Sequence, residues 1–245
     1  MKGDRFAGVT AVVALALAWE LVGRLDLSLF LPPLSRVLVA WWRLLGDGTL
    51  ARAAGSSLGS LVKGFVPAAI LGVMVGLAMG RFRPVRLVLD GWVNALMAAP
   101  LSALVPILIA LFGLRDTVVA ATVFTFAFFV VVVNTAAGVR GTERSLVEMA
   151  RAFGAGEGAL FARIYLPAAL PAIMLGLRLG VVQAVKGMVV GEMLISLVGL
   201  GERLIYYGNT FLITELYAVI LSVLVVAVVA AQLAQACDRA LVRWT

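Results

Sequence analysis

Histidine is absent from the 245 residues, and Cys237 is the single cysteine. The first absence removes the commonest metal ligand and the commonest general base, and with them most metalloenzyme and hydrolase chemistry. The second excludes an intramolecular disulfide framework. Charge is scarce as well: Asp, Glu, Lys and Arg make up 13% of the chain, about half the share usual in a soluble domain. With 63% hydrophobic residues and a mean hydropathy of +1.08, water is not the only solvent here. At about 20 apolar residues per spanning helix, the chain holds five or six spans and short connections. One all-α, polytopic membrane domain over residues 1–245 is the expectation, with no large soluble domain beside it. The net charge of +7 belongs, in so apolar a chain, to loops beside anionic lipid and not to a nucleic-acid surface.

Charges divide the sequence into apolar windows. Gly91–Leu114, Val118–Val139 and Leu216–Cys237 carry no Asp, Glu, Lys or Arg, and each as a helix would cross about 30 Å of hydrocarbon. Gly64–Gly80 and the run from Phe6 to Gly23 are weaker windows, also read as spans. The run after Lys2 and Arg5 ends in Ala14-Leu15-Ala16-Leu17-Ala18, which has the small-residue look of a signal-peptide end. It continues through Trp19, Leu21 and Val22, which favours an uncleaved first span. The sixth window, Ala172–Leu197, contains Lys186 and Glu192. A charge at a helix centre costs about 2.5–3.5 kcal/mol on insertion scales, so other helices must shield this one from lipid.

Arg81, Arg83 and Arg86 follow one span, and Arg140, Arg144, Arg151 and Arg163 lie between the fourth and fifth. The excess of arginine places both loops on the cytoplasmic side. Six spans then put both termini inside, with Lys2 and Arg5 at one and Arg239 and Arg243 at the other. The segment at about 24–63 falls outside, although it holds five basic and two acidic residues. After Pro32-Pro33, residues Leu34, Val37, Leu38, Trp41, Trp42, Leu44 and Leu45 recur at helical spacing, with Arg36 and Arg43 on another face. This pattern fits a helix in the outer interface, or equally a packed or re-entrant helix.

The longest polar connection, about 140–167, is expected to be cytoplasmic. Leu146, Met149, Ala150 and Phe153 share one helical face; Gly154, Gly156 and Gly158 interrupt; Leu160, Phe161 and Ile164 resume before Leu166-Pro167. The pattern predicts helix, turn and helix, with Glu148 paired to Arg151 and a break at Pro167, which cannot continue a helical hydrogen-bond ladder.

Within this connection, Glu148-Met149-Ala150, then Gly154, Ile164 and Leu166-Pro167, resembles the EAA signature of permease subunits in bacterial ATP-binding-cassette (ABC) importers, with Met149 in place of the middle alanine. Leu31-Pro32-Pro33, Ala99-Pro100, Phe112-Gly113, Gly154-Ala155, Gly176-Leu177-Arg178, Gly191-Glu192-Met193, Gly199-Leu200-Gly201 and Arg243-Trp244 extend the likeness to the nitrate, sulfonate and taurine branch over nearly the whole chain. It departs at Gln183-Ala184-Val185-Lys186, where relatives commonly carry Trp at the position of Val185 and no Lys after it. The resemblance implies a type I importer permease of the bacterial inner membrane. It also implies a coupling helix over about Ser145–Arg163 that seats in a separate ATPase, with Glu148, Met149, Ala150, Gly154, Ala155, Ile164, Leu166 and Pro167 as the coupling residues.

No Gly-x-x-x-x-Gly-Lys-Ser/Thr run exists to cradle phosphates, and none of the lysines, Lys2, Lys63 and Lys186, precedes Ser or Thr. The expectation is therefore no enzyme, no metal site and no cofactor on this chain. ATP and Mg²⁺ would bind two partner ATPase subunits, facing two copies of the permease or a heterodimer. Substrate would arrive on an extracytoplasmic binding protein, and the branch suggests a small anion such as nitrate, a sulfonate or taurine, or another small organic solute.

Polar groups at membrane depth are candidates for the pathway: Asn94, Ser102, Asn134, Gln183, Lys186, Glu192 and Ser196. Gln183 and Lys186 share a helix face, as do Glu192 and Ser196 by i,i+4 spacing. Lys186 either makes an anion-friendly cavity or is a salt-bridged or snorkelling residue, and Asn94 and Asn134 suit helix packing. Gly72 and Gly76 suit close helix contact within the chain or between copies, and Pro67, Pro100 and Pro106 suit kinks. The competing reading is a secondary carrier or channel using Lys186 and Glu192 as coupling charges.

Overall fold

The computed structural model describes residues 2–25 and 30–241. Arg243-Trp244 and the side chains of Lys2 and Arg5 lie outside the described part. Among the described residues eleven helices follow in order: α1 (Lys2–Arg24), α2 (Leu34–Gly46), α3 (Thr49–Arg81), α4 (Arg83–Ala98), α5 (Val105–Phe112), α6 (Asp116–Arg140), α7 (Arg144–Ala152), α8 (Glu157–Leu160), α9 (Leu166–Ile195), α10 (Gly199–Asn209) and α11 (Ile213–Leu241). A 3₁₀ turn, Leu101–Leu104, precedes α5, and a π turn, Phe161–Tyr165, precedes α9.

Helix α6 is the axis of the bundle. Gly64, Gly72 and Gly76 of α3 meet Val123, Val131 and Thr135 of α6 in parallel, while Gly176, Gly187 and Gly191 of α9 meet Asn134, Phe126 and Thr122 in antiparallel order. In lipid, moving an apolar side chain from the helix surface into the bundle gains little, so association depends on close van der Waals approach, which small residues allow. A Cβ at Gly76 would sit 2.5 Å from the Thr135 Cβ and 2.7 Å from the Val132 carbonyl oxygen. The Gly72 and Gly76 faces are therefore filled by α6 of the same chain. Around these seams Ala68, Val118, Val119, Val123, Ala127, Ala184 and Met188 form the main buried cluster.

Helices α3, α6, α8–α9 and α11 are each long and apolar enough to cross a membrane, and the bent α4–α5 pair makes five. Helix α1 covers the first expected window and continues unbroken past Ala18 to Arg24. Its end is tied down by the Trp19 Nε1 hydrogen bond to the Pro32 carbonyl (3.1 Å), by Glu20 accepting from Ser35, and by the Trp19 ring against Tyr217.

Four expectations are corrected. The window Gly91–Leu114 is not one helix, because α4 and α5 meet at 100°. Ala99 (φ −71°, ψ 148°) and Pro100 (φ −68°, ψ 94°) are extended; the ring of Pro100 disfavours the helical conformation in Ala99, and Pro100 has no N–H to donate. Pro106 kinks nothing, since it lies in the first turn of α5, where no donor is needed.

Second, residues 24–63 do not form one segment, because α2 and the start of α3 divide them. Helix α2 packs Val37, Ala40 and Leu44 inward, with Trp41 Nε1 donating to Ser222 Oγ at 2.9 Å and Arg43 paired to Glu215, while Trp42 is 67% exposed. It is a helix packed on α11 with a second apolar face outward. Gly48, at φ +77°, ends it, and Asp47 accepts from the Thr49 N–H (2.8 Å), which holds that carboxyl below the usual carboxylate range. Residues 49–63 belong to α3, whose 33 residues span about 50 Å. Lys63 pairs with Asp116 at the start of α6 (3.0 Å), so the first turns of α3 rise beyond that level.

Third, Pro167 does not break the chain. Helix runs from Glu157 to Ile195, and the π turn Phe161–Tyr165 immediately before Leu166 widens the ladder where proline lacks a donor. Fourth, Arg151 pairs with Glu157 at 3.1 Å and not with Glu148.

Candidate functional site

Two regions carry the polar chemistry. The first is the turn after α6. Helix α7 buries Val147 and turns Leu146 and Met149 outward. Phe153, just past its end, is 86% exposed. Among the described residues, nothing covers this apolar face. The chain reverses at Gly154, whose φ of +82° suits glycine alone without strain, and the Ala155 N–H bonds back to the Ala150 carbonyl (2.9 Å). Glu148 lines a cleft of about 290 Å³ with Arg140, Arg144 and Arg151 on the inner side of α7. Ile164 lies in the π turn, and Leu166 and Pro167 open α9.

Sequence reasoning missed what braces this turn. Glu157 accepts from both Arg81, at the end of α3, and Arg151, and the Arg81 guanidinium also lies 5.4 Å from the centroid of the Tyr165 ring. The end of α3, the end of α7 and the start of α8 are thereby joined through one carboxylate. Arg81 was visible only as one of several loop arginines, because its partner is 76 residues away.

The second region is the set of polar groups at membrane depth, which do not form one cluster. Asn94 on α4 and Asn134 on α6 each donate to the carbonyl one turn earlier, Asp90 and Val130, at 2.8 Å. Ser196 is an exposed helix end at φ 47° with its hydroxyl on Met193. Glu192 and Ser196 therefore share no face, since Glu192 is 0% exposed. Its Oε2 accepts from Ser57 Oγ (3.0 Å) and from the Gly201 N–H (2.9 Å), and Ser57 Oγ in turn accepts from the Leu200 N–H (2.9 Å). A carboxyl and a hydroxyl thus cap the N-terminus of α10 and lock α3, α9 and α10 together. Ser57 was not singled out in the sequence, where it is one of several small polar residues.

Lys186 and Ser102 share one lining. Both are exposed and line a cavity of about 560 Å³ with Leu101, Phe126, Val185, Val189, Val190, Val223 and Ala227. Gln183, one turn earlier on α9, is half-buried and outside that lining.

Comparison with known proteins fits an assembly of gapped apolar helices around a braced polar turn. Residues 68–243 match the family described as "Binding-protein-dependent transport system inner membrane component". A taurine transport system permease protein of Escherichia coli is 28% identical over 229 residues, covering 91% of this chain and 82% of that protein. A riboflavin transport system permease protein of Chloroflexus aurantiacus is 29% identical over 219 residues, covering 89% and 81%. A Brucella melitensis protein named "Probable ABC transporter permease protein" is 30% identical over 201 residues, 82% of each chain. With the braced turn, the broken span and all of the small-residue seams but Gly64 inside the matched region, the chain belongs to the binding-protein-dependent inner-membrane transport components, the permeases of ABC importers.

Proposed function

We propose that this permease works as one of two copies, each docked through α7 on its own ATPase subunit, and receives solute from an extracytoplasmic binding protein. The observation that carries the reading is the uncovered Leu146, Met149 and Phe153 face, set on a turn braced to α3 by Arg81 and Glu157. A contiguous apolar face on the water side of a membrane protein is a docking surface by physical expectation. The brace supplies a path by which movement of α7 reaches the bundle. ATP and Mg²⁺ belong to the partner, whose closure on ATP favours one of two bundle states through differential affinity. The arginines at 81, 83, 86, 140, 144 and 151 support a cytoplasmic α7 and cytoplasmic termini.

The taurine relative supports a small sulfonate-like anion as substrate; the riboflavin relative keeps other organic solutes in view. The carrier alternative has less support, because the Glu192 carboxylate it would use is engaged by Ser57 and Gly201. The test is uptake in proteoliposomes holding the chain, a candidate ATPase subunit and a binding protein. Uptake requiring ATP and the ATPase, and lost in Phe153→Glu with the bundle intact, is expected. Uptake by the chain alone on an ion gradient overturns the reading.

A further inference from the structure

Lys186 presents a charge that the fold does not use. Its ammonium makes no hydrogen bond or ion pair among the described residues. The carboxylates of the packed elements lie elsewhere among the described residues: Glu192 turns to Ser57 and α10, Asp116 of α6 holds Lys63, Glu215 of α11 holds Arg43, and Asp238 of α11 is eleven residues beyond Ala227, the last α11 residue of the lining. Lys186 stands nine residues before the end of α9, about 13 Å along the helix, beside the level where Gly187 meets Phe126. An ammonium held in hydrocarbon without a partner is strongly disfavoured.

The other wall of the cavity is the break between α4 and α5. Irregular backbone at membrane depth survives where it is buried in protein or lines a watery cavity, and Ser102, in the 3₁₀ turn of that break, is exposed on this side. The cleft is open, and Lys186 and Ser102 are the two polar residues of a lining whose exposed surface is otherwise almost wholly apolar, with Leu101, Phe126, Val189 and Val223 among it. About 560 Å³ is within the range of small-molecule sites.

We propose that this cavity binds the anionic head of a small organic solute within the membrane, with Lys186 Nζ as its counter-charge, Ser102 Oγ as a second polar contact and the valine and phenylalanine walls around its short apolar body. The proposal deepens the permease reading and rests on it for the direction of travel. The combination of one ammonium with apolar walls selects a monoanion carrying a carbon stub over a cation or a fully hydrated sugar.

The test places a cysteine at the site, Ser102→Cys in a Cys237→Ser background, in native membranes. It compares labelling by 2-sulfonatoethyl methanethiosulfonate, itself a small organic sulfonate, with labelling by its trimethylammonium counterpart, each rate normalised to a free thiol. The expected result is a preference for the sulfonate of about tenfold, retained in Lys186→Arg, lost in Lys186→Met and reduced by millimolar ethanesulfonate. No labelling by either reagent, or a preference that survives Lys186→Met, overturns the proposal. An anionic lipid headgroup could offer the same chemistry, so labelling is repeated in vesicles of phosphatidylcholine with and without phosphatidylglycerol. A preference abolished by the anionic lipid assigns the ammonium to lipid and overturns the proposal. Labelling needs neither ATP nor an ATPase, so failure here is separate from failure of the uptake experiment.

Discussion

Replacing Glu192 separates a cap from a pathway charge. In Glu192→Ala the Gly201 N–H and the Ser57 hydroxyl lose their acceptor in a site with no solvent access to the side chain. A stranded buried donor costs about 1–3 kcal/mol, and truncating a filled site adds a cavity term, giving about 3–5 kcal/mol in all. Glu192→Gln keeps an accepting oxygen for both donors. It gives up an anion at the N-terminus of α10, a contribution of about 0.3–2 kcal/mol, but also removes a charge that is costly to hold away from water. The net expectation is about 1 kcal/mol or less. At roughly 2–4 °C per kcal/mol for a chain of this size, thermal unfolding of the purified protein, followed by tryptophan fluorescence, should fall by roughly 6–20 °C for the alanine variant and by under about 4 °C for the glutamine variant. Glutamine retaining ATP-driven uptake completes the prediction. If glutamine destabilises as much as alanine, the hydrogen-bond reasoning is wrong; if it abolishes uptake at unchanged stability, the carboxylate charge acts in transport.

Gly76→Leu must displace the Thr135 side chain and the Val132 carbonyl, a cost of about 1–3 kcal/mol or more, whereas Gly59→Leu enters open space; limited proteolysis should show only the first loosening the bundle. Gly154→Ala places a Cβ at φ +82°, about 1–2 kcal/mol of local strain, and should reduce co-purification of the ATPase while leaving the melting temperature of the bundle within a few degrees. Arg81→Ala removes a partly exposed ion pair and little stability with it, yet ATP hydrolysis by the complex should persist while uptake per ATP drops severalfold; unchanged coupling would remove the brace from the mechanism.

What the residues disclosed in advance follows from how local each signal is. Charge-free runs such as Val118–Val139 and loop arginines are local, and α6 begins and ends within two residues of that window. The bend at Ala99-Pro100 was half legible: proline announces a disturbed ladder, but not whether the helix kinks or turns through 100°. The early start of α3 was hidden because Arg52 and Lys63 broke the apolar run, although glycine, alanine and serine between them suit helix contact. Pro167 misled because a π turn can absorb a missing donor without ending a helix. The role of Glu192 was out of reach, since Ser57 lies 135 residues away and nothing local distinguishes a capping carboxylate from a pathway one. The shared lining of Ser102 and Lys186 likewise depends on how the Leu101–Leu104 turn, α6, α9 and α11 surround one space.

A cytoplasmic α7 that docks a separate ATPase is open to direct measurement. A single cysteine at Phe153→Cys, with Cys237→Ala, is probed by an impermeant maleimide in right-side-out and inverted membrane vesicles. Labelling in inverted vesicles only is expected, with protection there once the ATPase subunit is bound. Labelling in right-side-out vesicles, or a rate in inverted vesicles indifferent to the ATPase, would contradict it.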